Sequence, residues 1–247
     1  FLKNFMTKET PYRSLLVYHG VGVGKTCSGL TIAENFRDIY GTKDKRILIL
    51  CSSTIQIGWK QTIYTPVKKE NQCTGDTYTS SEATTQREVN KLIKQYYEIM
   101  AYQSFSNYVK RMITQYIAPY PEDQKDNAKK ECIRKYFSDR LMIIDEVHNI
   151  RDDQGGEMRD TLKTIQMIIQ YSDNMRLVLL TATPMYNRST EIIWILNMML
   201  MNDKRELLSR DVLFDKDGKL TEQGRLQLKD VSRGYVSYLR GENPITF

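Results

Sequence analysis

The sequence lacks the features that mark membrane-bound and secreted proteins. Its longest apolar run, IIWILNMMLM at 192–201, is about half of the roughly 20 residues that a membrane span requires, and no signal-peptide pattern opens the chain. The four cysteines form no C-x-x-C or similar pair, which argues against a zinc site and a dense disulfide framework. We therefore predict no membrane association, four reduced thiols and an intracellular location.

A large excess of charge of one sign is also missing. The 36 basic residues are mixed with 30 acidic ones, so the net charge of +6 permits a phosphate-rich partner without requiring one. An apolar content of 40% is ample for a hydrophobic core. Because the chain opens on Phe1 and closes on NPITF, we expect a fragment of a longer protein.

Five short apolar runs are each followed by a polar or glycine-containing turn. They are SLLVY (14–18), RILILC (46–51), YEIMAY (97–102), RLMIID (140–145) and RLVLLT (176–181). Uninterrupted apolar strands that alternate with helical stretches are typical of a mostly parallel sheet covered by helices on both faces. The sequence therefore predicts an α/β fold.

Apolar residues at helical spacing predict which helix faces pack on this sheet. One face carries Gly29, Ile32, Phe36 and Ile39, with Gly41 as C-cap, and another carries Leu162, Ile165, Ile168 and Ile169. The alternation of strands and helices stops after residue 200. We predict one domain over 1–200 and a connector over 201–247, with a helix at 221–231 and a strand-like GYVSYL, that leads toward a further domain.

The stretch HGVGVGKT lies where the first apolar run ends and a helix is predicted to begin. Glycine lets the backbone approach a ligand, successive N–H groups form an anion-binding nest, and the helix N-terminus adds positive potential. This pattern predicts a phosphate loop in which Lys25 reaches the β- and γ-phosphates and Thr26 ligates Mg²⁺. The predicted nucleotide-binding residues are His19, Gly20, Val21, Gly22, Val23, Gly24, Lys25 and Thr26, with His19 where the strict pattern has glycine.

Acids and hydroxyls follow two later runs at the same predicted sheet edge, where open α/β sheets bind ligands. Asp145 is predicted to hold the Mg²⁺, and Glu146, catalytic together with Lys25, to activate the attacking water. Thr181 and Thr183 are predicted to bond to this acidic pair or to His148, which would couple hydrolysis to movement elsewhere. Capping of a helix predicted at 188–200 is the alternative role for the two threonines.

GKT, DEVH and TAT, in this order and each after its own strand, resemble motifs I, II and III of superfamily 2 helicases and translocases. More narrowly, SLLVYHGVGVGKTCSGLTIAENF, IIDEVHNIR and GYVSYLRGENPITF resemble the DExH-type helicase ATPases of nucleocytoplasmic large DNA viruses, poxviruses among them. The resemblance spans nearly the whole chain and only the first motor lobe of the family. It implies a RecA-like phosphate-loop NTPase lobe that hydrolyses ATP, with Mg²⁺, in a DNA-stimulated reaction.

The resemblance also implies nucleic-acid contacts. CSSTIQIGWKQTI resembles motif Ia, with Ser52, Ser53 and Trp59 near a sugar-phosphate backbone, and AYQSF resembles the next such element, with Tyr102 and Gln103 as candidates. Trp59 and Tyr102 could equally be core aromatics, since large aromatic side chains dominate burial. Contacts to the backbone carry no base-sequence information.

Parts of the family pattern are missing from this sequence. No glutamine precedes Lys25 to read adenine, and the family's arginine finger belongs to a second RecA-like lobe beyond Phe247. Because such an arginine is worth about 10³–10⁵ in rate, we expect the lobe alone to be nearly inactive.

Two functions fit these observations. One is the ATP-binding lobe of a viral helicase or translocase that acts on DNA, with RNA as the other candidate, in viral transcription or replication. The other is a nucleotide-switched or inert transcription-factor module that docks a viral RNA polymerase. Either would act in the host cytoplasm, in a viral factory, or in the virion. The adjacent acids and the TAT triplet argue against a small-molecule kinase or an unrelated phosphate-loop ATPase.

Overall fold

Six strands form the centre of the described part of the molecule. They are β1 (Ser14–His19), β2 (Ile47–Cys51), β3 (Tyr97–Ala101), β4 (Leu141–Ile144), β5 (Arg176–Thr181) and β6 (Val236–Leu239). All pair in parallel, in the spatial order β3-β2-β4-β5-β1-β6. The computed structural model describes residues 1–40, 45–66, 72–78, 81, 83–151, 156–185 and 189–241. The five predicted apolar runs are confirmed as strands.

The apolar runs are continuous because both faces of the sheet are covered. Every residue of β2, β4 and β5 is buried. Successive residues alternate between two hydrophobic clusters, since side chains of a strand point to opposite faces: Leu48 and Leu50 lie in one cluster, Ile47 and Ile49 in the other. The edge strands β3 and β6 are less buried. The predicted α/β fold is therefore confirmed.

Helices supply the rest of both clusters. They are α1 (Leu2–Phe5), α2 (Lys25–Glu34), α3 (Arg37–Tyr40), α4 (Gln56–Ile63), α5 (Gln86–Tyr96), α6 (Tyr102–Ile117), α7 (Lys125–Phe137), α8 (Gly156–Tyr171), α9 (Ile192–Asn202), α10 (Arg210–Leu213) and α11 (Glu222–Val231). Helices α2, α4 and α5 pack on one face of the sheet, and α6 to α9 pack on the other. Over the described ranges, no helix combines the length and apolar character that a membrane crossing requires.

The two predicted helix faces have different outcomes. The stripe at 162–169 is confirmed on α8, where its four residues are buried. The helix predicted from Gly29 to Ile39 is interrupted instead. It stops at Glu34, where the N–H groups of Asn35 and Phe36 donate to carbonyls three residues back and the Asn35 side-chain amide donates to the Met6 carbonyl at 3.2 Å. The predicted C-cap, Gly41, lies outside the described residues.

The segment after residue 200 contributes a strand to the sheet. Strand β6 pairs with β1, with His19 opposite Leu239, and the N–H of Gly20 donates to the Leu239 carbonyl at 3.0 Å. Part of the predicted connector, strand β6, therefore pairs within the sheet of the lobe. The predicted domain boundary at residue 200 stays a prediction.

A disulfide joins Cys27, in the first turn of α2, to Cys73. The prediction of four reduced thiols is therefore wrong for these two cysteines, whereas Cys51 and Cys132 are free and buried. The bonded pair is 46 residues apart in sequence, so no local spacing indicates it. Cys73 packs against the same hydrophobic cluster that α2 joins.

Candidate nucleotide site

Parallel pairing places the predicted functional residues at one edge of the sheet. The glycine-rich loop follows β1, Ser52 follows β2, Asp145 follows β4, and Thr183 comes just after β5. Ligands bind at this carboxyl edge in open α/β sheets. Residues that are distant in sequence therefore meet near the junction between the glycine-rich loop and α2.

Two glycines with positive φ shape the loop. Gly22 has a φ of 80°, and Gly24, the N-cap of α2, has a φ of 78°. A Cβ on Gly22 would meet nothing within 4 Å, so the backbone angle and not lack of space demands glycine there. With the free N–H groups at the start of α2, the loop can bind a phosphate.

Lys25 lies between the loop and the acids. Its Nζ donates to the Gly20 carbonyl at 3.4 Å and lies 3.7 Å from Glu146 Oε1, with the lysine side chain 10% exposed. An ammonium held this way at the mouth of an anion site can exchange its protein partners for phosphate oxygens. Thr26 follows in the first turn of α2. Together with Lys25 it lines a cavity between the loop and the two acids.

Asp145 is buried, and its backbone N–H donates to the Leu50 carbonyl at 2.9 Å. Its Oδ1 accepts the N–H of Glu146 at 3.0 Å, and its Oδ2 accepts Nε1–H of Trp59 at 2.8 Å. The hydroxyl of Tyr102 donates to its backbone carbonyl. Burial raises the pKa of Asp145, and the hydrogen bond from Trp59 opposes that rise.

Glu146 has a backbone conformation that is uncommon outside glycine. Its φ of 47° and ψ of 52° are left-handed, and residues in such conformations cluster at functional sites. One carboxylate oxygen faces Lys25, while Oε2 lies 3.4 Å from His148 Nδ1. The side chain is 30% exposed, so Glu146 can accept a proton from a water in the cavity.

His148 connects the acids to the end of β5. Its Nδ1 lies 2.9 Å from Thr181 Oγ1 and 3.5 Å from Thr183 Oγ1, and the N–H of Thr183 donates to Thr181 Oγ1 at 3.1 Å. Burial lowers the pKa of His148, and Glu146 opposes that shift. The structure brings the three predicted coupling residues together. The N-cap of α9 is Glu191, so the threonines do not have the alternative capping role.

A cavity of about 480 Å³ lies between the loop, the acids and α4, which is within the usual size range of ligand sites. Its lining residues are Gly22, Gly24, Lys25, Thr26, Thr54, Ile55, Gly58, Trp59, Thr62, Asp145 and Glu146. Four of these, Thr54, Ile55, Gly58 and Thr62, were not predicted. All four lie in the stretch that resembles motif Ia. The hydroxyl of Thr54, close after the end of β2, is the sequence feature that could have indicated this part of the cavity.

The donor set of this cavity fits a magnesium nucleotide. No group of three or more His, Cys, Asp or Glu side chains suited to a metal occurs in the described ranges. A cation here would therefore depend on Asp145, Thr26 and phosphate oxygens. Mg²⁺ commonly binds through one or two carboxylates, waters and substrate phosphates.

Burial bears on the two roles open to Trp59 and Tyr102. They are 1% and 4% exposed and contact Asp145, which favours the core role for both, while their contacts with nucleic acid stay predictions. Ser52 and Ser53 lie nearer the surface. Gln103 accepts a hydrogen bond from Thr161 of α8 at 3.2 Å. Contacts of these three residues with nucleic acid stay predictions.

The His19 side chain is packed toward β6 and away from the cavity, and its predicted role as a nucleotide ligand stays a prediction. It is 6% exposed, its Nε2 lies 3.1 Å from Ser237 Oγ on β6, and it is not among the cavity-lining residues. Burial lowers the pKa of His19. A Cβ on the next residue, Gly20, would lie 2.5 Å from Gly241 Cα. The start of the loop is thus packed against the end of β6.

The sheet order, the loop and the acids define a RecA-like phosphate-loop NTPase lobe. Among solved structures, the SWI2/SNF2 ATPase core of Sulfolobus solfataricus in complex with dsDNA matches with a TM-score of 0.50 and 12% identity. The match covers 93% of this chain and 41% of that one. A likeness at this identity shows the fold alone.

The chain belongs to the family described as type III restriction enzyme, res subunit, whose model matches residues 2–186. Two relatives from Acanthamoeba polyphaga mimivirus, provisionally named ATP-dependent RNA helicases L377 and R563, are 33% and 27% identical over 100% of this chain, which covers 23% and 41% of their lengths. Helicase 009L of Frog virus 3 (isolate Goorha), also a provisional name, is 26% identical over 98% of this chain and is covered over 24% of its length. The resemblance to the first motor lobe of large-DNA-virus superfamily 2 helicases is confirmed.

Proposed function

We propose that the chain is the ATP-hydrolysing first lobe of a viral helicase or translocase that moves along DNA in viral transcription or replication. The observation that carries the proposal is Lys25 Nζ held 3.7 Å from Glu146 Oε1, at a cavity that Thr26 and Asp145 also line. The helicase relatives favour this motor over the polymerase-docking module. Because the chain covers less than half of those relatives, a second RecA-like lobe is part of the proposal.

In the proposed mechanism, ATP binding rearranges the partners of Lys25. Loop N–H groups hold the phosphates, and Lys25 leaves the Gly20 carbonyl and Glu146 for the β- and γ-phosphate oxygens. Mg²⁺, when bound, would neutralise phosphate charge and be held by Asp145 and Thr26. Each of these positive groups would offset the negative charge of the phosphates, which otherwise repels an attacking water.

Hydrolysis then depends on Glu146. Once Lys25 has moved to the phosphates, Glu146 Oε1 is free to orient the attacking water and take its proton. The other oxygen faces His148, which contacts Thr181 and Thr183. A shift of Glu146 after phosphate release would therefore reach the end of β5, which supports the proposed coupling role.

DNA is the proposed track, and Ser52, Ser53 and Gln103 are its proposed contacts on this lobe. The solved neighbour was captured with dsDNA, whereas two relatives carry RNA in their names, so the experiment includes both. Binding through backbone phosphates should weaken steeply with salt. We place this activity in the host cytoplasm or the virion.

Lys25→Ala in the full-length protein tests the proposal. Loss of this cation should lower the rate of ATP hydrolysis by about 10²–10³-fold, because a charge that stabilises the transition state is removed. Phosphate release is measured without nucleic acid, with DNA and with RNA. Lys91→Ala, an exposed lysine of α5, is the matched control and should keep the wild-type rate.

Equal rates for Lys25→Ala and wild type would overturn the ATPase assignment. Stimulation by RNA and not by DNA would replace the proposed track. A rate that no nucleic acid raises would contradict the motor.

A further inference from the structure

We infer that Trp59 is a positioning residue for Asp145 and, through that carboxylate, sets how tightly the site holds its magnesium nucleotide. The inference rests on the proposed function. It gives Trp59 a role that the motif Ia resemblance does not suggest, since the residue lines the candidate nucleotide cavity.

The contact between Trp59 and Asp145 is direct. Trp59 Nε1–H donates to Asp145 Oδ2 at 2.8 Å, and both groups are buried. An indole has one N–H and no acceptor, so its direction is determined by the ring. A hydrogen bond to a charged acceptor in a buried place is among the stronger ones in proteins.

The ring has little freedom to move. Trp59 is packed in the cluster formed by α2, α4 and the sheet. On the α2 side stands Gly29, where a Cβ would lie 3.3 Å from the indole ring and 3.0 Å from Leu180. The absent side chain of Gly29 leaves the space that the ring occupies. Rigid packing thus determines where the indole N–H points.

The two oxygens of Asp145 are held from different directions. Oδ1 accepts the N–H of Glu146 at 3.0 Å, which is a bond within the same turn. Oδ2 is held by Trp59 from another helix, 86 residues away in sequence. Without the indole, rotation of the carboxylate about its Cβ–Cγ bond is opposed by the Glu146 N–H bond at Oδ1 and no longer by a hydrogen bond at Oδ2. Supporting contacts of this kind orient metal-binding carboxylates and raise affinity.

A merely structural role for Trp59 makes a different prediction. If the ring only fills the core, Trp59→Phe should lower stability and leave the requirement for Mg²⁺ unchanged, since phenylalanine keeps most of the apolar bulk. If the N–H orients Asp145, the same variant should need more Mg²⁺ and should bind ATP without the metal as wild type does.

The first experiment measures the Mg²⁺ concentration that gives half-maximal ATP hydrolysis in the full-length protein at saturating ATP. Trp59→Phe should raise it by about 10- to 100-fold, the usual loss when the supporting partner of a metal-binding group is removed. Trp194→Phe in α9, which packs against the opposite cluster, is the matched control and should behave as wild type. Calorimetric titration with a non-hydrolysable ATP analogue, with and without Mg²⁺, should show the same loss only when Mg²⁺ is present.

The second experiment needs no change at Trp59. In a full-length variant whose single tryptophan is Trp59, fluorescence emission should shift when Mg²⁺ and the analogue are added, because the acceptor of its N–H gains a cation. Addition of the analogue without Mg²⁺ should give a smaller shift. The experiment therefore decides the matter even if Trp59→Phe fails to fold.

The outcomes separate the two proposals. If wild type neither binds the analogue nor hydrolyses ATP, the proposed function fails. If wild type does both, the proposed function stands. The positioning role then fails if Trp59→Phe keeps the wild-type Mg²⁺ requirement, or if Mg²⁺ does not change the fluorescence emission of Trp59.

Discussion

Gly29 and Gly58 show how differently two glycines in helices can be constrained. Gly29 lies in α2, and a Cβ there would be 3.0 Å from Leu180 Cδ1 and 3.3 Å from the Trp59 ring. Both neighbours are at most 1% exposed, so neither can give way easily. Gly58 lies in α4, where a Cβ would meet nothing within 4 Å.

Comparison of Gly29→Ala with Gly58→Ala should reveal this difference. Both variants gain the same intrinsic helix preference, so the difference between them reports crowding. We expect Gly29→Ala to be less stable than Gly58→Ala by about 1–3 kcal/mol, the usual cost of overpacking a core. Urea unfolding followed by circular dichroism measures it. Equal midpoints would show that the core relaxes around the added methyl group.

At the scale of elements, α2 is tied to its surroundings along its whole length. Its N-cap is Gly24 of the loop, its first turn carries the Cys27–Cys73 disulfide, and Asn35 after its last turn bonds to the Met6 carbonyl. The helix that presents Lys25 and Thr26 is therefore anchored near both of its ends.

Removal of the disulfide should loosen this anchor. Cys73→Ser is expected to lower the melting temperature of oxidised protein, because a native disulfide typically contributes about 2–4 kcal/mol, mainly by restricting the unfolded chain. Thermal unfolding is recorded for wild type and variant, with and without dithiothreitol. Reductant should bring wild type to the variant's melting temperature and leave the variant unchanged. A wild-type melting temperature that is unchanged by dithiothreitol would show that the disulfide does not stabilise the protein.

For the whole molecule, the important feature is the return of the chain to the phosphate loop. Strand β6 pairs with β1, and Gly241, just after it, packs on Gly20 at the start of the loop. The end of β6 and Gly241 therefore lie beside the start of the phosphate loop.

The isolated 247-residue chain should be a poor enzyme. We expect ATP turnover about 10³–10⁵-fold below that of the full-length protein, the contribution of an arginine supplied across a lobe cleft in comparable phosphoryl-transfer systems. Phosphate release is compared at equal concentrations with saturating DNA, and isolated Lys25→Ala gives the background. Turnover by the isolated chain near the full-length rate would show that this lobe is catalytically complete.

Much of the fold and of the candidate site could be predicted from local sequence patterns. The β2 run ILILC is apolar at successive positions because both faces of the strand are buried, so its burial is readable without a structure. The positive φ of Gly22 and Gly24 follows from a glycine-rich turn before a helix. Asp145 was placed at the sheet edge because parallel strands share one carboxyl edge.

Contacts between distant segments could not be predicted in this way. Neither the partner of Trp59, 86 residues away, nor that of Cys27, 46 residues away, leaves a mark in the residues beside it. Similarly, His19 matched a loop position by spacing, while its environment is determined by Ser237 on β6.

The sequence by itself determined the α/β fold, the phosphate loop and the acidic pair, because each depends on hydrophobic period or backbone freedom over a few consecutive residues. Only the tertiary structure decided that Trp59 supports Asp145, that Cys27 is bonded, and that β6 completes the sheet. Those features depend on which surfaces meet when the helices pack on the strands, and packing is a property of the whole chain.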